Sequence, residues 1–278
     1  MFRIPDTFIE NLIHEDLQHM DITTLAMGIE NERGRVECFP KKECVLAGVE
    51  EAARIFERAG AKATMLLASG THAEAGEICL RVDGTAGELH AVYKQAQNVM
   101  EYSSGIATRT AAMVRNAKMT NQAIHISVTR KHFPGGKALS LKAALAGGAS
   151  LHRLGLSDSI LVFDQHRVFA SDFLKLIPIM AEKFPEKKIA VEANSPQEAE
   201  DYIRAGAHIV QCERFSIDEL LSFVKTAREI NPHVRIAAAG GVNVANAAEF
   251  AASGVDILVT SCPYFGKPED IKMRFKKV

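Results

Sequence analysis

The sequence has almost no surplus charge: 33 Lys+Arg against 34 Asp+Glu leave a formal charge of −1 over 278 residues. That balance argues against a chain that coats nucleic acid or clings to membranes through a polybasic surface, while leaving room for a local basic pocket. There is no apolar run near the ~18 residues of a membrane span, and acids stand near the N-terminus where a signal peptide needs an apolar stretch. A soluble, cytoplasmic protein is the expectation. No solenoid-type repeat and no low-complexity tract is present. Cysteines are few and odd in number (Cys38, Cys44, Cys79, Cys212 and Cys262), and no two have C-x-x-C spacing. A disulfide framework or zinc ribbon is therefore not expected, and the five read as small buried hydrophobes in a reducing compartment. What remains, 47% hydrophobic and 24% charged, is a globular composition with enough chain for one large domain or two modest ones.

The C-terminal half has a rhythm. Short β-rich runs recur at His125–Thr129, Ile160–Phe163, Ile189–Ala193, His208–Glu213, Arg235–Gly240 and Asp256–Ser261. Helix-patterned stretches lie between them. Ser195 followed by Pro196 and Glu198 is a helix start, Ser216 with Glu219 repeats the capping-box logic, and Asn243 is placed to cap a helix from Val244. Strands alternating with helices predict a parallel sheet, and at least six such units favour a closed or nearly closed α/β barrel over a doubly wound open sheet. The first hundred residues differ. Strands are expected over Gly34–Val49 and Glu77–Val82, and helices over Glu50–Ala59 and Glu88–Lys118, the last broken near Gly105. The tail from Asp270 alternates polar and apolar residues like a strand outside the barrel. The expected division is an α+β domain over 1–116, the barrel over 117–265, and a C-terminal strand within 266–278 returning to the first domain.

Active sites of α/β barrels lie at the C-terminal ends of the strands. Reading only those ends gives cations from the early strands, carboxylates from the middle ones, and glycines and hydroxyls from the late ones. Arg130 and Lys131, Lys137 in a Gly/Pro loop, and His152 with Arg153 form two cationic segments suited to a polyanionic substrate. Gly240 and Gly241, with Ser261 at the next strand end, read as a phosphate cradle. Glu192 and Glu213 can hold Mg²⁺, bind ribose hydroxyls, stabilise a developing sugar cation, or simply pair with rim cations. His152 and His166 lack the company of a zinc site.

These residues carry a resemblance. Ser104-Gly105-Ile106-Ala107-Thr108, Thr129-Arg130-Lys131 with Pro134-Gly135, Gly147-Gly148 with His152 through Asp158, and Gly240-Gly241 recur in this order in quinolinate phosphoribosyltransferases, and Asp21-Ile22-Thr23-Thr24 resembles their opening motif. The resemblance implies an α/β N-terminal domain, a seven-stranded α/β barrel, and a homodimer whose sites the partner completes. It also implies a reaction of phosphoribosyl pyrophosphate (PRPP) with an anionic aromatic acid, using Mg²⁺. Carried over, Arg130, His152 and Arg153 would grip acceptor carboxylates and Lys131 would stand near both substrates. Glu192 and Glu213 would serve the ribose or metal, and Gly240, Gly241, Ser261 and Lys137 the phosphates.

The chain also departs from the family. The usual Lys-Asp-Asn-His is Phe163-Asp164-Gln165-His166 here, an Arg ten positions before Ser104 is Lys94, and Leu-Asp-Asn-Phe becomes Cys212-Glu213-Arg214-Phe215. Lys94 and Phe163 thus join the expected acceptor residues. These departures resemble a paralogous branch found with molybdate uptake systems. Four functions follow: transfer to an acceptor other than quinolinate; quinolinate transfer for NAD biosynthesis, with Lys137 or Lys142 replacing the lost lysine; a non-catalytic phosphate- or oxyanion-binding accessory; and, weakest, a Schiff-base lyase using Lys131.

Overall fold

Two compact units make up the computed structural model, which describes residues 2–278. The elements run α1 (Asp6–Asp16), α2 (Ile22–Ala26), β1 (Arg33–Pro40), β2 (Cys44–Val45), α3 (Val49–Arg58), β3 (Lys62–Met65), β4 (His72–Ala73), β5 (Leu80–Thr85) and α4 (Ala86–Thr120). They continue with β6 (His125–Val128), α5 (Lys137–Ala146), β7 (Ser150–Leu151), β8 (Ile160–Val162), α6 (Asp164–Arg167), α7 (Phe173–Lys183), β9 (Ile189–Ala193) and α8 (Pro196–Arg204). The chain ends with β10 (Ile209–Glu213), α9 (Ile217–Ile230), β11 (Arg235–Ala239), α10 (Ala247–Ala252), β12 (Ile257–Thr260) and β13 (Ile271–Lys277).

The first unit contains the chain through Ala111, then Phe133–Gly148 and Pro263–Val278. Its antiparallel sheet has the order β13-β1-β5-β3. The tail enters it because its period-two pattern serves both faces. Ile271 is buried and Phe275 stacks on His90 at 4.8 Å, while on the other face Arg274 and Lys276 both reach Glu37 at 2.8 Å. Those two cations hold the Glu37 carboxyl at about 2, well below its ordinary value. The segment 133–148 also belongs here: Leu139 joins the core of Phe56, Leu80 and Met100, and Lys142 pairs with Glu50 at 3.0 Å and buried Glu51 at 2.8 Å. A division at consecutive boundaries does not capture that excursion. Nor is α4 broken at Gly105. A Cβ there would stand 2.7 Å from the Lys267 carbonyl oxygen, so the glycine serves close backbone approach rather than a helix break.

The second unit, Ala112–His132 with Ala149–Cys262, is the barrel. Its seven-stranded sheet has the order β7-β6-β12-β11-β10-β9-β8, every neighbouring pair parallel, with β7 and β8 unpaired to each other. This is an open α/β barrel. The strand the sequence patterning missed is β7, whose two residues are too short to show periodicity. Local capping is as expected at α8 and α9, where Ser195 and Ser216 accept from the amides of Glu198 and Glu219. Asn243 is different. Its side chain accepts from the amide of Ala245 at 2.9 Å in a local turn, and the following helix starts only at Ala247 and has six residues.

Candidate active site

Inside the barrel, alternation along β10 turns Gln211 and Glu213 to the inner side, and β11 answers with the small Ala237 and Ala239. Small side chains there leave space. A cavity of about 630 Å³ opens at the C-terminal ends of the strands, and every residue that lines it belongs to the barrel unit. Arg130, Lys131, His152, Arg153, Phe163, Glu192, Glu213, Gly240, Gly241 and Ser261 all line it. Lys94 and Lys137 do not. Lys94 is exposed on α4, 2.9 Å from the Gln97 amide oxygen and over the Tyr93 ring, and Lys137 opens α5; both belong to the first unit. Lys142, a candidate replacement for the family's lysine, is held by Glu50 and Glu51 instead.

The cationic side rests on β6 and β7. The Lys131 amide donates to Thr129 Oγ1 at 3.1 Å, and the His152 amide to the Val128 carbonyl at 3.1 Å, so the turns after both strands are pinned. Arg153 is only 7% exposed. No carboxylate of the described chain pairs with it; its guanidinium lies 5.6 Å from the centre of the Phe163 ring. Burial, then the charges of Arg153 and Arg130, push the His152 imidazole down to about 4, so it is neutral at physiological pH. Burial and Arg130 also lower the Arg153 pKa, though a guanidinium stays charged. Phe163 is half-buried and stacks on the His166 ring 6.0 Å away, while its amide donates to His166 Nδ1.

Across the mouth, Glu192 and Gln211 are register partners on β9 and β10. Gln211 Nε2 donates to Glu192 Oε2 at 2.8 Å. Burial first, then the Glu213 charge, hold the Glu192 carboxyl above its ordinary range; Gln211, Lys131 and Arg167 pull the other way. Sequence reasoning missed Gln211, although its place between Ile209 and Glu213 on one face of a strand was a readable signal. It also missed Arg167, which donates to the Glu192 carbonyl at 3.0 Å and bonds Tyr202 and Asp164, bracing the end of β9. On the late strands Gly240 and Gly241 have φ of 87° and 81°, a region that favours glycine. An added Cβ at Gly241 would meet nothing within 4 Å. Thr260 ties the neighbouring loops, its hydroxyl donating to the Val242 carbonyl at 2.7 Å and accepting from the Cys262 amide.

The cavity thus sets cations from β6 and β7 opposite the carboxylates of β9 and β10, with the glycine turn after β11 between them. Models of the quinolinate phosphoribosyl transferase N-terminal and C-terminal domains match residues 21–104 and 106–274. The chain belongs to the quinolinate phosphoribosyltransferase family. It is thus a phosphoribosyltransferase-type enzyme, a pentosyltransferase by class. Similar curated proteins carry the name "Putative pyrophosphorylase ModD". The one from Rhodobacter capsulatus is 39% identical over 252 residues, covering 89% of this chain and 96% of that one. The one from Pasteurella multocida is 33% identical over 281 residues, covering 100% and 99%. Among solved structures, NadC from Streptococcus pyogenes superposes with a TM-score of 0.90 at 25% identity, covering 98% of this chain and 96% of that one. No described helix is long and apolar enough to cross a membrane.

Proposed function

We propose that this family member transfers the phosphoribosyl group of PRPP to a small anionic aromatic acceptor other than quinolinate. The observation that carries this reading is Arg153, a largely buried side chain at the cavity wall without a carboxylate partner, beside Arg130 and neutral His152. A partly desolvated, unpaired charge is costly, and an acceptor carboxylate would offset that cost. Phe163 covers the Arg153 guanidinium with an aromatic face where a second carboxylate would want a cation, so the acceptor presents an apolar edge there.

In the reaction, the bond between the sugar C1 and the diphosphate breaks, the acceptor takes C1, and pyrophosphate leaves. Positive charge develops on the ribose, and Glu192 and Glu213, which line the cavity, would stabilise it. Lys131 faces the departing anion, and Gly240, Gly241 and Ser261 hold the 5′-phosphate. Among the described residues no three His, Cys, Asp or Glu form a metal cage. Two neighbouring carboxylates nonetheless fit Mg²⁺, which commonly takes one or two carboxylates and completes its shell with water and substrate phosphates. Glu192 and Glu213 would hold it, and it would supply neutralising charge to the diphosphate.

Two further parts of the reading concern assembly and context. On the open side of the barrel, Leu156, Val168 and Phe169 are strongly exposed next to an apolar hollow of about 310 Å³. A second copy of the chain would cover them, and Lys94 of the partner subunit would complete the acceptor site. The link to molybdate uptake follows from the branch resemblance, and normal growth of a deletion strain at limiting molybdate would remove it.

The central test is pyrophosphate release from PRPP across a panel of aromatic acids. Release with a non-quinolinate acid is expected. Failure to bind PRPP at all would sink the proposal.

A further inference from the structure

Arg214 is the one described non-glycine residue with a positive φ, 59°. Glycine or asparagine takes that conformation with little or no cost, whereas a long side chain is strained in it. The strain has visible causes. The Arg214 amide donates to the Ala239 carbonyl at 2.8 Å, carrying the β10–β11 pairing one residue past Glu213. The side-chain stem then lies against Gly240: a Cβ on that glycine would stand 2.5 Å from Arg214 Cγ and 2.9 Å from its amide nitrogen. Gly240 therefore has to be glycine for Arg214 to sit where it does. The side chain as a whole is 84% exposed, and its nearest carboxylate is Glu213 at 3.7 Å. An exposed pair of that length contributes little. A strained residue, accommodated by a glycine on the neighbouring strand, thus delivers a weakly engaged guanidinium to the edge of the turn whose next residue, Gly241, faces open space. Arg214 does not itself line the cavity, but Glu213 before it and Gly240 against it both do, and strain kept beside such residues points to function.

We propose that Arg214 is a phosphate-binding residue: its guanidinium folds over the Gly240–Gly241 turn and grips, in two-point fashion, the phosphate monoester seated there. The assignment rests on the PRPP reading above and adds to it a cation from the middle strands. Arg suits the task because its planar fork matches two phosphate oxygens. On phosphate binding the guanidinium exchanges its weak contact with Glu213 for the ligand.

Calorimetric titration with ribose 5-phosphate and, separately, inorganic pyrophosphate tests the proposal on wild type, Arg214→Asn, Arg214→Gly and Arg214→Lys. The Asn and Gly variants are expected to melt about 2–4 °C higher, because strain is released, yet to bind ribose 5-phosphate about 10- to 100-fold more weakly. Arg214→Lys should recover only part of that affinity, because it restores the charge but not the two-point fork, and pyrophosphate binding should not change in any variant. Unchanged ribose 5-phosphate affinity in Arg214→Asn overturns the proposal. So does a loss confined to pyrophosphate, which would assign the cation to the leaving group. If wild type binds neither probe nor PRPP, the PRPP reading fails and this inference with it.

Discussion

His152 offers the most direct measurement of the cation cluster. Burial together with Arg153 and Arg130 brings its pKa from 6.5 to about 4. Between those values the unfolded chain binds a proton that the folded chain refuses, so acidification favours unfolding. The contribution is fully present above about pH 6.5 and is lost as pH falls toward about 4. The full shift corresponds to about 3 kcal/mol at most, and by about pH 5 roughly 2 kcal/mol should be gone. Solvent contact at the cavity mouth lowers both figures. Glu37, held at about 2, loses its contribution only below the ordinary carboxylate range, so it leaves this window clear. The assay is urea unfolding of wild type and His152→Gln between about pH 7 and about pH 5. The wild-type stability should fall and the variant's should fall less by the amount given. In parallel, imidazole NMR should show His152 neutral at about pH 5, and an aromatic acid bound between the arginines should raise its titration midpoint. A midpoint near the unperturbed value, with parallel stability curves, would show that the two guanidinium groups do not press on the imidazole and would refute the cluster.

Three other outcomes are expected. Phe163→Lys should raise quinolinate turnover about 10- to 100-fold by restoring a charge-assisted hydrogen bond; wild type turning over quinolinate as fast as the variant would show that Phe163 does not select the acceptor. Glu192→Gln should raise the melting temperature at neutral pH while turnover collapses. The fold holds this carboxyl above its ordinary pKa, so its ionised form destabilises the folded state once pH exceeds the unfolded value; calorimetry alongside the pyrophosphate assay reads both signs. Lys142→Met should cost up to about 3 kcal/mol, because it takes the nearer cation from Glu51, which is 2% exposed and keeps only Arg54 at 3.9 Å; adding Glu51→Gln should recover much of the loss, and a double-mutant cycle by urea unfolding checks it.

The sequence by itself determined the features that depend on a few neighbouring residues. Strand β9 was expected at Ile189–Ala193 and lies there, because a buried parallel strand is a continuous apolar run. The starts of α8 and α9 were readable because Ser195 and Ser216 bond amides three residues away. The succession of strand ends also named most residues that line the cavity, since parallel strands in a barrel present their C-terminal ends at one mouth. Tertiary structure alone decided the rest. Gly105 reads as a helix breaker until the Lys267 carbonyl is seen against it, and Asn243 reads as a cap until its turn is seen to close before the helix begins. Lys137 reads as a substrate cation from its Gly/Pro loop and Lys142 as a replacement for the family's lysine, but the segment 133–148 packs with the first unit and Glu50 and Glu51 take Lys142. That Arg153 is buried without a counter-charge, that Gln211 supports Glu192, and that Arg214 is strained against Gly240 are facts of charge, burial and backbone approach. Such properties arise between residues far apart in the chain, so no local pattern encodes them.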